Sequence, residues 1–274
     1  MKTILVTTDF SKCSNNALKY AIELAKWKKS KIILFHSYFV PAIPGDIPVK
    51  YATDQIKDET ISKLNKIANT IHTAHKGLQV EIQFGSGIPT DKILECAKKN
   101  KVDLIIMGLQ GSGYITEKLI GSVTTSLIQQ SHFPVLVISE KIKFKNIKRI
   151  ALAFDYAELK PEHISSVIKE FSNTLDSKIL VFNIVKSELQ AISSVSKAVE
   201  GMRLSRSLEN IKHSFHYLED EDVINGINRF IAEQKIDLLV MIPREHTPLY
   251  KLFNEPLTKR MAFHTIIPLL TVKE

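Results

Sequence analysis

The strongest constraint on the fold is an internal repeat. "VDLIIMGLQGSGYITEKLIGSVTTSLIQQSHFPVLVI" (102–138) lies without a gap over "IDLLVMIPREHTPLYKLFNEPLTKRMAFHTIIPLLTV" (236–272). Asp103 meets Asp237, Met107 meets Met241 and Pro134 meets Pro268. Earlier in each copy, "IKRIALAFDYAEL" echoes "MKTILVTTDFSKC", with Asp155 in the place of Asp9, and "KILVFNIV" echoes "KIILFHSY". A pattern that recurs at this length is one α/β unit used twice. The 274 residues are therefore expected to form two tandem domains, 1–140 and 147–274, with the boundary near "SEKIKFKNIK".

Within the first copy, short apolar runs alternate with helical patterns. "TILVTT", "KIILFHS", "LQVEIQFG", "VDLIIMG" and "PVLVIS" read as strands. Between the first two, Ala17, Ala21, Leu24 and Ala25 recur at helical spacing, with Ser11 or Ser14 as the cap. A long helix is expected over about residues 50–75 and a short one over "PTDKILECAKKN", opened by its proline. Strands that are apolar on both faces and separated by helices imply a mainly parallel open sheet of five strands, flanked by helices, in each domain. Ligands of such sheets bind beyond the carboxyl ends of the strands. Those ends here are "TTDFS", "HSYFVP", "GSGIP" and "GLQGSG".

The copies differ in their glycines. Gly108, Gly111, Gly121 and Ser122 become Ile242, Glu245, Glu255 and Pro256, and "GSGIP" becomes "EDEDV". Strand patterning survives these changes, so the glycines read as serving a ligand rather than the fold. Glycine lets backbone N–H groups approach an anion closely, and a helix beginning at Gly121–Ser122 adds free N–H groups and its dipole. The Ser122 and Thr124 hydroxyls could add direct bonds. No Walker A loop occurs, and no G-x-G-x-x-G follows the first strand.

Composition narrows the class further. No apolar run approaches the roughly 18–20 residues that span a bilayer, and the N-terminus lacks a signal-peptide pattern, so a cytoplasmic location without membrane partners is expected. Cys13 and Cys96 read as packing residues. A net charge of +8 invites a nucleic-acid reading, but the lysines are mixed with acids, and neither an RNA-binding aromatic signature nor zinc-finger spacing is present.

The order G-x2-G-x9-G-[ST] after the fourth strand, followed by an apolar strand opened by proline, resembles the universal stress protein family. "TTDFS", "GIP" and "PVLVI" are similar to the family as well. The resemblance covers nearly all of residues 1–140; in 147–274 it covers the fold pattern and not the nucleotide motif. It implies a Rossmann-like fold of the adenine nucleotide alpha hydrolase type. It also implies a site for ATP, or ADP or AMP, with Mg2+. By that analogy Gly108, Gly111, Gly121 and Ser122 hold the phosphates, with Val123 and Thr124 at the helix start. Asp9, beside Thr8, lies near the ribose or a phosphate-bound metal, Ser37 offers its backbone to adenine, and Met107 and Ile88 supply apolar walls. The resemblance further implies pairing of domains through their last strands, within one chain or between two chains of a homodimer.

Each of these readings has a plainer rival. Asp9 can be a turn or capping aspartate, a view supported by the persistence of Asp155. His36 reads as a packed histidine, since no Ser–His–Asp or Cys–His spacing accompanies it. His213 and His216 share a strand face, and a metal there would need more ligands. The resulting expectation is a nucleotide-binding regulator in the stress response, with a structural second domain and no assigned catalytic residue. The alternatives are a slow ATPase or phosphoryl-transfer enzyme, with Lys118 as a source of charge, and a scaffold or binding module for another anionic small molecule.

Overall fold

A computed structural model describes residues 1–39, 49–109, 122–156, 161–172, 177–185, 195–243 and 267–273, the side chains of 49–52 and 195–196 excepted. These residues divide into two compact units, one ending at Phe144 and the other beginning at Lys145.

The first unit runs β1 (Thr3–Thr7), α1 (Lys12–Lys28), β2 (Lys31–Tyr38), α2 (Val49–Ala74), β3 (Val80–Ser86), α3 (Pro89–Lys99), β4 (Leu104–Leu109), α4 (Ser122–Gln130) and β5 (Val135–Ser139). Its strands are all parallel, in the order β3-β2-β1-β4-β5. Ile4, Leu5 and Val6 of the central strand are fully buried, as are Ile32–Leu34 and Leu104–Ile106 beside it, because helices cover both faces of the sheet. Of the two serines proposed as cap, Ser11 is the N-cap of α1: its side chain accepts from the Ser14 N–H at 3.2 Å. Lys26 and Lys28 complement the dipole in the last turn of that helix. Pro89 opens α3.

The second unit repeats the plan with β6 (Arg149–Ala153), α5 (Pro161–Phe171), β7 (Lys178–Val185), α6 (Val195–Ser207), β8 (Lys212–Glu219), α7 (Val223–Glu233), β9 (Leu238–Met241) and β10 (Leu269–Thr271). Its order is β8-β7-β6-β9-β10, again parallel. The α/β architecture expected for each copy is therefore present in both.

The duplication extends to single hydrogen bonds, which explains what the repeat retained. Asp103 Oδ2 accepts from the Lys2 and Thr3 N–H groups at 2.6 and 2.8 Å. Asp237 Oδ2 accepts from those of Lys148 and Arg149, both at 2.9 Å. The shared aspartate thus holds the start of the central strand in each unit. Ser30 donates to the Met1 carbonyl at 3.0 Å, and Ser177 donates to that of Ile147 at 2.8 Å. Left-handed backbone recurs too, at Phe10 and Tyr156 (φ 65° and 58°), Gly77 and Asn210 (92° and 72°), and Lys101 and Lys235 (49° and 51°). Of these, only the Gly77 position has kept glycine, and Asn210 is among the residue types that tolerate this region.

Burial alone would raise the Asp237 carboxyl. The Lys145 ammonium at 2.6 Å and the Lys148 and Arg149 N–H groups outweigh it and hold the carboxyl below its ordinary value. A carboxylate lowered by folding stabilises the fold above its unfolded pKa of about 3.9, and the contribution fades as pH falls through the lowered value. Asp237→Ala is expected to cost about 1–2 kcal/mol at neutral pH in urea unfolding, with the gap from wild type closing toward pH 2–3.

Candidate functional site

In the first unit the carboxyl ends of β1, β2 and β4 and the N-termini of α1, α3 and α4 surround a cleft of about 180 Å3. Thr8, Asp9, Ser37, Met107, Gly108, Ser122, Val123 and Thr124 all line it. The sequence singled out these residues from segments more than a hundred positions apart. Gly111 and Gly121, the other two phosphate candidates, lie outside the described residues, as does Lys118.

The β1–α1 turn shapes one wall. Thr8 Oγ1 accepts from the Phe10 N–H at 3.0 Å and shares a hydrogen bond with Ser14 Oγ at 3.2 Å. Asp9 Oδ1 accepts from the Ser11 N–H at 3.0 Å, so the turn reading of this aspartate is correct as far as one oxygen goes. Burial pushes the Asp9 carboxyl upward, yet the Ser11 and Ser14 hydroxyls and the Ser11 N–H more than offset it and keep the carboxylate ionised below its usual range.

The α1 and α4 N-termini face the cleft with no acid in either first turn. The dipole ends of both helices favour an anion, against the ionised Asp9 carboxylate that lines the same cleft. Apolar surface comes from Phe35, Met107, Pro89 and Ile93. Ile88, expected as a wall, is 63% exposed at the α3 N-cap and does not line the cleft. Cys13, Ser14 and Ile93 were missed in the sequence reading. The signal was available, because in a parallel α/β unit every helix that follows a strand begins at the ligand edge.

Two candidates have structural duties. Ser37 Oγ donates to the Gly87 carbonyl at 3.2 Å, which pins the β3–α3 turn where Gly87 sits at φ 130°. A Cβ built on Gly108 would stand 2.7 Å from the Cys13 carbonyl carbon and 2.8 Å from the Ser14 nitrogen. The packing of the first unit therefore needs this glycine, because the first turn of α1 rests directly on β4, although Ile242 stands at the matching place in the second. That revises the view that the glycines serve only a ligand.

His36 Nδ1–H donates to the Thr8 carbonyl at 2.7 Å, and its ring lies 4.5 Å from that of Phe10. In the second unit Asn183 Nδ2 makes the same bond, to the Phe154 carbonyl at 2.7 Å. Both residues secure the first carbonyl beyond the central strand. His213 and His216 are engaged by Ser205 and Ser214, each at 2.8 Å, and no group of three or more potential metal ligands occurs among the described residues. Burial pushes the Cys96 thiol up to about 11, and its Sγ donates to Gln83 Oε1.

The second unit has a remnant of the cleft, about 40 Å3, lined by Ala153, Phe154, Asp155, Phe182, Asn183, Ile184, Val223 and Ile227. Each stands where the first unit has a cleft residue. The counterparts of Ser122–Thr124 lie outside the described residues, and among the rest Phe154 replaces Thr8 and Ile184 replaces Ser37. Gly226 accommodates the second: a Cβ there would lie 2.9 Å from Ile184 Cδ1.

His36→Asn is expected to keep stability within about 1 kcal/mol of wild type, whereas His36→Ala loses about 1–3 kcal/mol by leaving the Thr8 carbonyl unpaired. Gly108→Ala should cost about 1–3 kcal/mol through overpacking against backbone. Thermal or urea unfolding checks all three.

Comparison with known proteins agrees with the fold. The profile of the Universal stress protein family matches residues 1–139. A universal stress protein of Methanocaldococcus jannaschii is 31% identical over 146 residues, covering 52% of this chain and 84% of its own. The universal stress protein YxiE of Bacillus subtilis is 31% identical over 143 residues, covering 49% of this chain and 97% of its own. A crystal structure of a universal stress protein from Archaeoglobus fulgidus superposes with a TM-score of 0.73, at 18% identity, over 99% of this chain and 98% of that one. With the profile spanning the first copy, and the same parallel unit built twice along the chain, this protein belongs to the universal stress protein family.

Proposed function

We propose that the first unit binds an adenine nucleotide, ATP with Mg2+ foremost, and that the chain acts as a nucleotide-responsive regulator. The observation that carries this reading is the convergence of two helix N-termini without acids on the cleft that also holds Asp9, Ser122 and Thr124. The donor set suits the ligand. Phosphates would take the α4 N-terminus, the Ser122 and Thr124 hydroxyls and the backbone at Gly108, Gly111 and Gly121. The Asp9 oxygen not engaged by Ser11 suits a ribose hydroxyl or Mg2+. The base would rest against Met107, Phe35 and Ile93, with the Ser37 backbone at its edge.

Regulation is favoured over catalysis by what lines the cleft. Among its described residues there is no lysine or arginine to take charge on a γ-phosphate. His36, the imidazole there, has Nδ1 committed to the Thr8 carbonyl. The second unit is assigned a structural role, because Phe154 and Ile184 occupy the space a ligand would need.

Native mass spectrometry of the freshly purified chain should show one adenine nucleotide per molecule, and calorimetry of stripped protein should show one Mg-ATP site. Ser122→Glu, which places a charge against the phosphates, is expected to weaken binding by about tenfold or more. Two nucleotides per chain would contradict the silent second unit. A folded sample that binds none would remove the reading.

A further inference from the structure

Helix α1 touches the cleft at one end and the chain leaving the first unit along the rest of its length. Cys13, Asn16, Tyr20 and Trp27 recur at intervals of a turn or two and share one stripe of the helix. At the top of that stripe Cys13 lines the cleft, and its backbone rests on Gly108. One turn on, Asn16 Nδ2 donates to the carbonyls of Ser139 and Ile142 at 2.9 and 2.8 Å. An amide nitrogen has two hydrogens, and both are used here. Both acceptors are carbonyls, so the amide orientation is fixed by its partners. Further along, the Tyr20 ring meets Phe144 edge-on at 5.1 Å, and Trp27 lies 6.4 Å from the same ring. Ile142 between them is buried. Residues 139–144, through which the chain passes from β5 to the second unit, are thus fastened to the helix whose first turn walls the cleft.

Helix α5 of the second unit carries other side chains at these positions. Matching the buried stripes of α1 and α5 sets Ala17 with Ile164, Ala21 with Ile168 and Leu24 with Phe171. The exposed His163 then stands in the place of Asn16, and the half-buried Val167 in that of Tyr20.

We propose that ligand occupancy and the linker clamp are coupled through α1. A ligand seated in the cleft against Cys13 and Ser14, in the first turn of α1, favours the helix position seen here. Asn16, Tyr20 and Trp27 need that same position to hold residues 139–144. Binding therefore tightens the clamp, and loosening the clamp weakens binding by the same factor, because coupling between two sites is reciprocal. The inference rests on the nucleotide reading above, with ATP as the ligand.

The test uses the full chain. Calorimetry measures Mg-ATP affinity, hydrogen exchange follows residues 139–144 with and without Mg-ATP, and emission from Trp27, the single tryptophan, reports the clamp directly. Coupling predicts slower exchange over 139–144 and an emission shift on binding. Asn16→Ala and the milder Phe144→Leu, neither of which touches the cleft, should each weaken Mg-ATP binding, by about fivefold for the first. If Mg-ATP binds wild type but exchange at 139–144 and Trp27 emission stay unchanged, and both variants bind with wild-type affinity, the coupling is wrong and the nucleotide reading stands. If Mg-ATP does not bind wild type, reading and coupling fall together.

Discussion

Each unit depends on how the first carbonyl beyond its central strand is held. In the first unit the Thr8 N–H donates to the Phe35 carbonyl at 2.9 Å, while His36 returns a bond to the Thr8 carbonyl. In the second, Phe154 N–H donates to Phe182 and Asn183 bonds back to Phe154. This paired tie fixes the point where β1 or β6 gives way to its turn. From there the chain must reverse through a residue at positive φ, Phe10 or Tyr156. The reversal delivers the next helix with its N-terminus at the sheet edge. Neither a polar turn nor a helix dipole could be aimed at a ligand if that carbonyl were free to move.

On this shared frame the units diverged by exchanging volume for chemistry. The first keeps small or hydroxyl side chains at the sheet edge and has a cleft of about 180 Å3. The second fills the same place with Phe154 and Ile184, leaving about 40 Å3, and makes compensating space at Gly226. The opposite exchange occurs in the first unit, where the Lys92 side chain packs over Gly85 and Gly87. Large against small is conserved across each contact while the partner carrying the bulk changes. Such swaps preserve packing density, which is why the strand pattern survives the loss of the site.

Much of this was legible in the sequence, and for identifiable reasons. Strand and helix positions followed from apolar runs such as "TILVTT" and from the helical spacing of Ala17, Ala21 and Leu24, because burial on both sheet faces leaves a direct compositional mark. Asp9 and Ser122 stood out because they sit at a strand end and a helix start, whereas Thr8 and Met107 came from the family resemblance. Three features were not legible. The steric demand at Gly108 arises from the α1 backbone, nearly a hundred residues away in sequence. The duty of His36 emerged only when Asn183 was seen to make the same bond. Ile88 looked like a wall because it is apolar, and turned out exposed because it sits at a helix cap rather than on the strand.

The sequence alone determined the repeat, the order of elements, and which copy keeps the polar, glycine-bearing sheet edge, since each of these is written in local composition and in comparison of one copy with the other. Tertiary structure decided which side chains face the cleft, how far the second cleft is closed, and where the first unit fastens its departing chain. Those outcomes depend on distances between atoms remote in sequence: 2.7 Å between a would-be Cβ of Gly108 and Cys13, 2.9 Å between Asn16 and Ser139. No periodicity records such separations, because they are set by how whole helices settle on the sheet.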